Sequence, residues 1–159
     1  MHHHHHHHYS YETFLKDSLE LVKQVEQICG VPEALVCVMR GGMTLTHFLS
    51  LHWDLREVYG INAISYDTTH RQNALKIENI PTIKDHLKTI LVVDEIVDSG
   101  NSLEAVLKVL QDKHPDKKFY SASLFQKTSA KYKADAFLKD APEWIDFFWE
   151  VDLKNLKSH

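Results

Sequence analysis

From about residue 11 to 28 the apolar residues Phe14, Leu15, Leu19, Leu21, Val22, Val25 and Ile28 recur at intervals of three and four. That spacing predicts an amphipathic helix, closed by Gly30 and Pro32. Residues 34–38 form an unbroken apolar run, the pattern of a strand buried on both faces, and Met39-Arg40-Gly41-Gly42 ends it. A second helix is predicted over about 44–59, with Leu45, Phe48, Leu49, Leu55 and Val58 inward and Gly60 as its C-cap. Residues 61–66 read as a strand, 67 to about 74 as a polar loop, and 75–80 as a short strand. The β-branched run 89–93 reads as another buried strand that stops at Asp94-Glu95. A helix carrying Leu103, Val106, Leu107 and Leu110 is predicted from about Ser102 to before Pro115, then a strand at 119–125. Strands alternating with helices of this length specify an α/β fold on a parallel sheet. From about Gln126 the rhythm changes to an aromatic-rich tail, read as a smaller cap on the sheet.

The chain has 159 residues, and Met1 with the seven histidines His2–His8 reads as an expression tag. Residues 9–159 then form a single domain, with the cap roughly at 126–159. Apolar and charged contents of 43% and 25% are globular values and exclude disorder. A net charge of −4 argues against a nucleic-acid binder. No apolar run approaches the roughly 20 residues of a membrane span. Cys29 and Cys37 are too few for a disulfide framework or a zinc site, and read as free thiols in a reducing, cytoplasmic setting.

Open parallel sheets bind ligands at the carboxyl ends of their strands. Two segments there are chemically unusual. In Ile-Leu-Val-Val-Asp-Glu-Ile-Val-Asp-Ser-Gly-Asn-Ser, residues 90–102, a buried strand delivers Asp94 and Glu95, then the apolar Ile96 and Val97, then Asp98. Ser99-Gly100-Asn101-Ser102 follows and opens a helix. Backbone N–H groups of such a turn, with the positive end of the helix, suit a phosphate group. Asp94 and Glu95 suit vicinal hydroxyls or a hydrated Mg²⁺. The second segment, Arg40-Gly41-Gly42, offers a cation and close backbone approach, as a diphosphate requires.

Residues 90–102 resemble the phosphoribosyl pyrophosphate (PRPP) signature of the type I phosphoribosyltransferases, and Val38–Gly42 resembles that family's pyrophosphate loop. Three further stretches resemble the xanthine-guanine branch: Ser65-Tyr66-Asp67 with the loop after it, Leu124-Phe125-Gln126-Lys127, and Trp144-Ile145-Asp146 with Trp149-Glu150 beyond. The resemblance implies a Rossmann-like parallel-sheet core with a small C-terminal hood. It implies purine salvage: transfer of phosphoribose from PRPP to a 6-oxopurine, giving a nucleoside monophosphate and pyrophosphate, with Mg²⁺ as cofactor. PRPP would be held by Arg40, Gly41 and residues 94–102, and the metal by Glu95 and Asp94. The base would be held by Lys127, Trp144 and Ile145, with Asp98 accepting a proton from purine N7. Family members are commonly dimers or tetramers, so a homo-oligomer is expected. An enzyme for another base, or a PRPP-sensing regulator of the same fold, are the rival readings. Glu95 stands where the nearest pattern more often has aspartate, and the loop arginine, Arg71, has no firm counterpart.

Overall fold

The computed structural model describes residues 6–66 and 74–157. The elements are β1 (His6–Tyr9), α1 (Tyr11–Cys29), β2 (Ala34–Met39), α2 (Met43–Trp53), β3 (Val58–Tyr66) and β4 (Ala74–Glu78). They continue with β5 (Thr89–Val97), α3 (Asn101–Lys113), β6 (Lys118–Gln126), β7 (Ala136–Asp140), β8 (Trp144–Phe147) and α4 (Phe148–Lys157). Six strands form one sheet in the order β4-β3-β2-β5-β6-β7. All its pairings are parallel except β3–β4. A separate two-stranded parallel sheet joins β1 to β8.

The central strands are apolar throughout because both faces are covered. Leu35, Leu91 and Val93 face a core built with Phe14, Leu21, Val25 of α1 and Leu45, Leu49 of α2. Ala34, Val36, Ile90 and Val92 face the other core, with Leu103, Val106 and Leu110 of α3. α1 starts at Ser10, whose side chain accepts from the Thr13 N–H at 3.2 Å. It ends at Gly30, where φ is +75°.

Four expectations are corrected. α2 stops at Trp53, six residues before the expected end, because Asp54 takes the left-handed conformation and its N–H returns to the Leu51 and Ser50 carbonyls. Leu55 therefore lies in a loop and Val58 in a strand. Gly60 is no C-cap: it pairs with Cys37 inside the sheet, and the Met39 side chain occupies the place its Cβ would take. β5 does not stop at Asp94 but runs on to Val97. The tail is not all cap, since β7 joins the main sheet beside β6. In addition, three of the tag histidines extend Tyr9 into β1.

β2 connects to β3 on one side of the sheet and β5 to β6 on the other, so the strand order reverses between β2 and β5. A crevice opens at the carboxyl ends of two such strands, and ligands of open α/β sheets bind there. Arg40 follows β2, and Asp94 lies on β5 just past the last residue that pairs with β2.

Candidate active site

The loop after β2 is fitted against β5 at atomic contact. The Met39–Arg40 peptide is cis. The Gly42 N–H donates to the Val38 carbonyl at 2.9 Å and the Met43 N–H to the Arg40 carbonyl at 3.0 Å. The turn thus closes on itself and leads into α2. A Cβ on Gly42 would lie 2.5 Å from the Val93 carbonyl oxygen. A Cβ on Gly41 would collide with the Glu95 carboxylate. Arg40 is exposed, and with Gly41 and Glu95 it lines a cavity of about 690 Å³. α4 closes the far side with Trp149, Glu150, Leu153, Lys154 and Lys157.

Because β5 continues past Asp94, its two acidic residues alternate across the sheet. Glu95 faces the Arg40 cavity. Asp94 faces a second cavity, of about 100 Å³, shared with the turn Asp98–Gly100 and with Ser102. Asp94 Oδ1 accepts the Glu95 N–H at 2.8 Å. Burial raises the Asp94 carboxyl to about 7. Glu95 also rises to about 7, first through burial and then through the charges of Asp94 and Glu150. Glu95 Oε2 is buried and has no hydrogen-bond partner. Both carboxyls thus hold their protons more tightly than exposed ones do.

The turn after β5 presents backbone donors. Gly100 has φ +92°, and a Cβ there would strike the Tyr132 carbonyl oxygen. Ser99 Oγ accepts the Asn101 N–H at 3.2 Å. α3 begins at Asn101 without a side-chain cap, which leaves helical N–H groups for an outside acceptor. The Lys131 N–H donates to the Ser99 carbonyl at 2.9 Å, so the 130–132 turn braces this one from behind.

Asp98 and Lys127 meet directly. Lys127 follows β6, its N–H donates to the Val97 carbonyl at 2.9 Å, and its Nζ lies 2.9 Å from Asp98 Oδ1. Sequence placed these residues in the base and proton-accepting roles separately. The fold makes them one pair.

Ile145 lies in β8, but its side chain packs against the core. The side chain is half-buried, and its backbone lies in the hood strand. Trp144 begins β8, and its side chain lies outside the described residues. So does the loop 67–73 with Arg71. The sequence reading missed Leu153, Lys154 and Lys157, which come from the last helix and carry no signal beyond ordinary amphipathic spacing. It also missed Tyr132 as the brace behind Gly100.

The family model for the phosphoribosyl transferase domain matches residues 12–155. A xanthine-guanine phosphoribosyltransferase of Idiomarina loihiensis is 29% identical over 149 residues, covering 91% of this chain and 86% of that protein. A structure of the Helicobacter pylori xanthine-guanine-hypoxanthine phosphoribosyltransferase is 99% identical, covers 98% of this chain and 100% of its own, and superposes with a TM-score of 0.93. A purine phosphoribosyltransferase of Pyrococcus horikoshii shares the fold at a TM-score of 0.72 and 20% identity, over 91% of this chain and 93% of its own. Matched along nearly its whole length, with the strand-end loops of its crevice shaped as described, this chain belongs to the phosphoribosyl transferase family.

Proposed function

We propose that this chain transfers the 5-phosphoribosyl group of PRPP to a 6-oxopurine (guanine, xanthine or hypoxanthine) and releases pyrophosphate. The Asp98–Lys127 pair carries this reading. It sets an acceptor and a cationic donor 2.9 Å apart. A 6-oxopurine in its N7–H form offers the complement on one edge: an acceptor at O6 beside a donor at N7. Lysine has only donors, so it disfavours the amino group that adenine carries at the same position. The names of the Idiomarina and Helicobacter relatives support the same substrate class.

The remaining residues divide the rest of the substrate. The 5′-phosphate fits the turn Ser99 to Ser102 at the N-terminus of α3, and Asp94 fits the ribose hydroxyls. The diphosphate fits the Arg40–Gly41 cavity, where Lys154 and Lys157 add positive charge. In the reaction the C1–O bond to diphosphate breaks, a bond from C1 to purine nitrogen forms, and the N7 proton passes to Asp98. Positive charge grows on the ribose ring, so placement and electrostatics supply most of the rate.

The donor set fits Mg²⁺, which takes oxygen ligands and shares them with substrate phosphates. The unpartnered Glu95 oxygen is the observation that supports it, and Glu95 would hold the ion; Asp94, the other ligand expected from the sequence, opens onto the second cavity instead. Among the described residues no group of three or more His, Cys, Asp or Glu is placed to hold a metal. When bound, it neutralises charge on the departing diphosphate.

A homo-oligomer and a cytoplasmic setting belong to the same proposal. Leu15, Leu19 and Leu51 border an apolar groove of about 420 Å³ between α1 and α2. Among the described residues no helix is long and apolar enough to cross a membrane, and both cysteines are free. The test is pyrophosphate release on mixing the protein with PRPP, Mg²⁺ and guanine, xanthine, hypoxanthine or adenine in turn. Release with the three oxopurines and not adenine is expected. PRPP binding without release would favour the regulatory reading, and equal release with adenine would refute the role of Lys127.

A further inference from the structure

The two protein edges assigned above to the base lie in different sheets. Lys127 follows β6 of the six-stranded sheet, and Ile145 lies in β8 of the two-stranded one. Among the described residues no strand pairing joins the two sheets; the Ala141 N–H donates to the Gln126 carbonyl at 2.9 Å just ahead of β8, and side chains fill the rest of the gap. Three rings meet between them: Phe125 of β6 and Phe147 of β8 touch directly at 6.0 Å between centroids, and Tyr9 packs against both. The Tyr9 ring meets Phe125 of β6 edge-on at 4.9 Å between centroids, and Phe147 of β8 edge-on at 5.9 Å. Phe125 is two residues before Lys127, and Phe147 is two residues after Ile145. Each contact thus lies two residues along the chain from a position assigned to the base.

Tyr9 is also fixed at its far end. It is fully buried, and its hydroxyl donates to Asp17 Oδ2 of α1 at 2.7 Å. The same oxygen lies 2.9 Å from Lys139 Nζ of β7. Its backbone stands opposite Phe147 in the β1–β8 pairing. The ring is therefore held from α1, from the main sheet and from the hood strand at once.

We propose that Tyr9 is a positioning residue for the purine: a wedge that packs against the Phe125–Phe147 contact and with it fixes the gap between the end of β6 and the hood strand β8, and through it base affinity and base preference, without touching the base. The proposal rests on the reading that Lys127 and Ile145 flank the purine. Displacements of about 1 Å at a reacting group can cost ~100-fold in rate. Loss of a wedge of this size is therefore legible in kinetics.

The experiment compares Tyr9→Leu and Tyr9→Phe in the full-length protein, with Lys127→Met alongside. KM for guanine, hypoxanthine and PRPP is read for each. Tyr9→Leu should raise both purine KM values about tenfold or more and change their ratio, with PRPP KM within about twofold. Tyr9→Phe keeps the ring and loses only the Asp17 anchor. It should restore most of the purine affinity yet leave KM about threefold above the parent. Purine and PRPP KM rising together would overturn the proposal, because that is the signature of a merely structural residue. So would an unchanged purine KM in Tyr9→Leu or, if that variant fails to fold, in Tyr9→Phe. A purine KM unmoved in Lys127→Met would instead remove the reading of the base site on which the proposal stands.

Discussion

Replacing Asp94 with asparagine should stabilise the free protein while it damages the enzyme. Burial lifts the carboxyl from its ordinary 3.8 to about 7. A group whose pKa is raised on folding is a liability only where the unfolded chain has ionised it. The penalty is absent below about pH 3.8, grows through the window up to 7, and is complete above that. Roughly three units at about 1.4 kcal/mol each make about 4 kcal/mol at pH 8. Asparagine keeps the acceptor for the Glu95 N–H but buries amide donors, at a cost of about 1–2 kcal/mol. The net gain is about 2–3 kcal/mol, or about 5–10 °C in Tm for a domain of this size. At pH 5 the wild-type penalty has fallen to under about 2 kcal/mol, and the gain should nearly vanish. Thermal melts of both proteins at pH 8 and pH 5, without Mg²⁺ or PRPP, read this directly, with PRPP affinity measured in parallel. A variant that melts below the parent at pH 8, or gains equally at both pH values, would show that Asp94 is not a buried charge held for a ligand.

Three further changes test other parts of the site. Gly100→Ala forces a side chain into a φ of +92° and onto the Tyr132 carbonyl. Urea unfolding should show a loss of about 3 kcal/mol, with PRPP binding lost as well. Asp98→Asn should lower kcat about 100-fold or more while PRPP affinity, read by calorimetry, stays near that of the parent. Lys127→Met should weaken oxopurine binding and relax the rejection of adenine, which a competition assay between guanine and adenine measures as a shift of about 1–3 kcal/mol in selectivity.

The parts of this molecule legible in its sequence are those whose signal is contiguous. Residues 90–102 carry a strand, three carboxylates and a small-residue turn in one stretch, and the structure puts all of them around the crevice. β2 and β5 were legible because burial on both faces demands unbroken apolar runs. The errors arose where two periods coincide or where a polar residue sits in a strand. Leu55 and Val58 continue the helical spacing of α2, yet Asp54 turns the chain left-handed and β3 begins. Asp94 and Glu95 are poor strand residues, so β5 was expected to stop at them; pairing with Ser123 through Gln126 carries it onward. The α4 wall was illegible for a different reason. Lys154 and Lys157 lie more than 50 positions from Glu95, and only tertiary packing brings them to one cavity.

Where local rules fail here, they fail in one place and in complementary ways. Glu95 Oε2 is buried without a partner among the described residues, α3 opens without a side-chain cap, Gly41 and Gly42 leave no room for a side chain, and Asp98 and Lys127 present an acceptor beside a donor at the open edge. Any one of these would be an isolated defect, cheaply repaired by substitution. Together they lie along one crevice, and each lacks a different partner: a cation, a phosphate, close approach of a diphosphate, an acceptor beside a donor. A ribose carrying phosphate at one end and diphosphate with its metal at the other, next to a 6-oxopurine, supplies all four at once. The instability of the empty site and the specificity of the filled one then have a single physical origin, and substrate binding must raise the stability of the fold as it closes them.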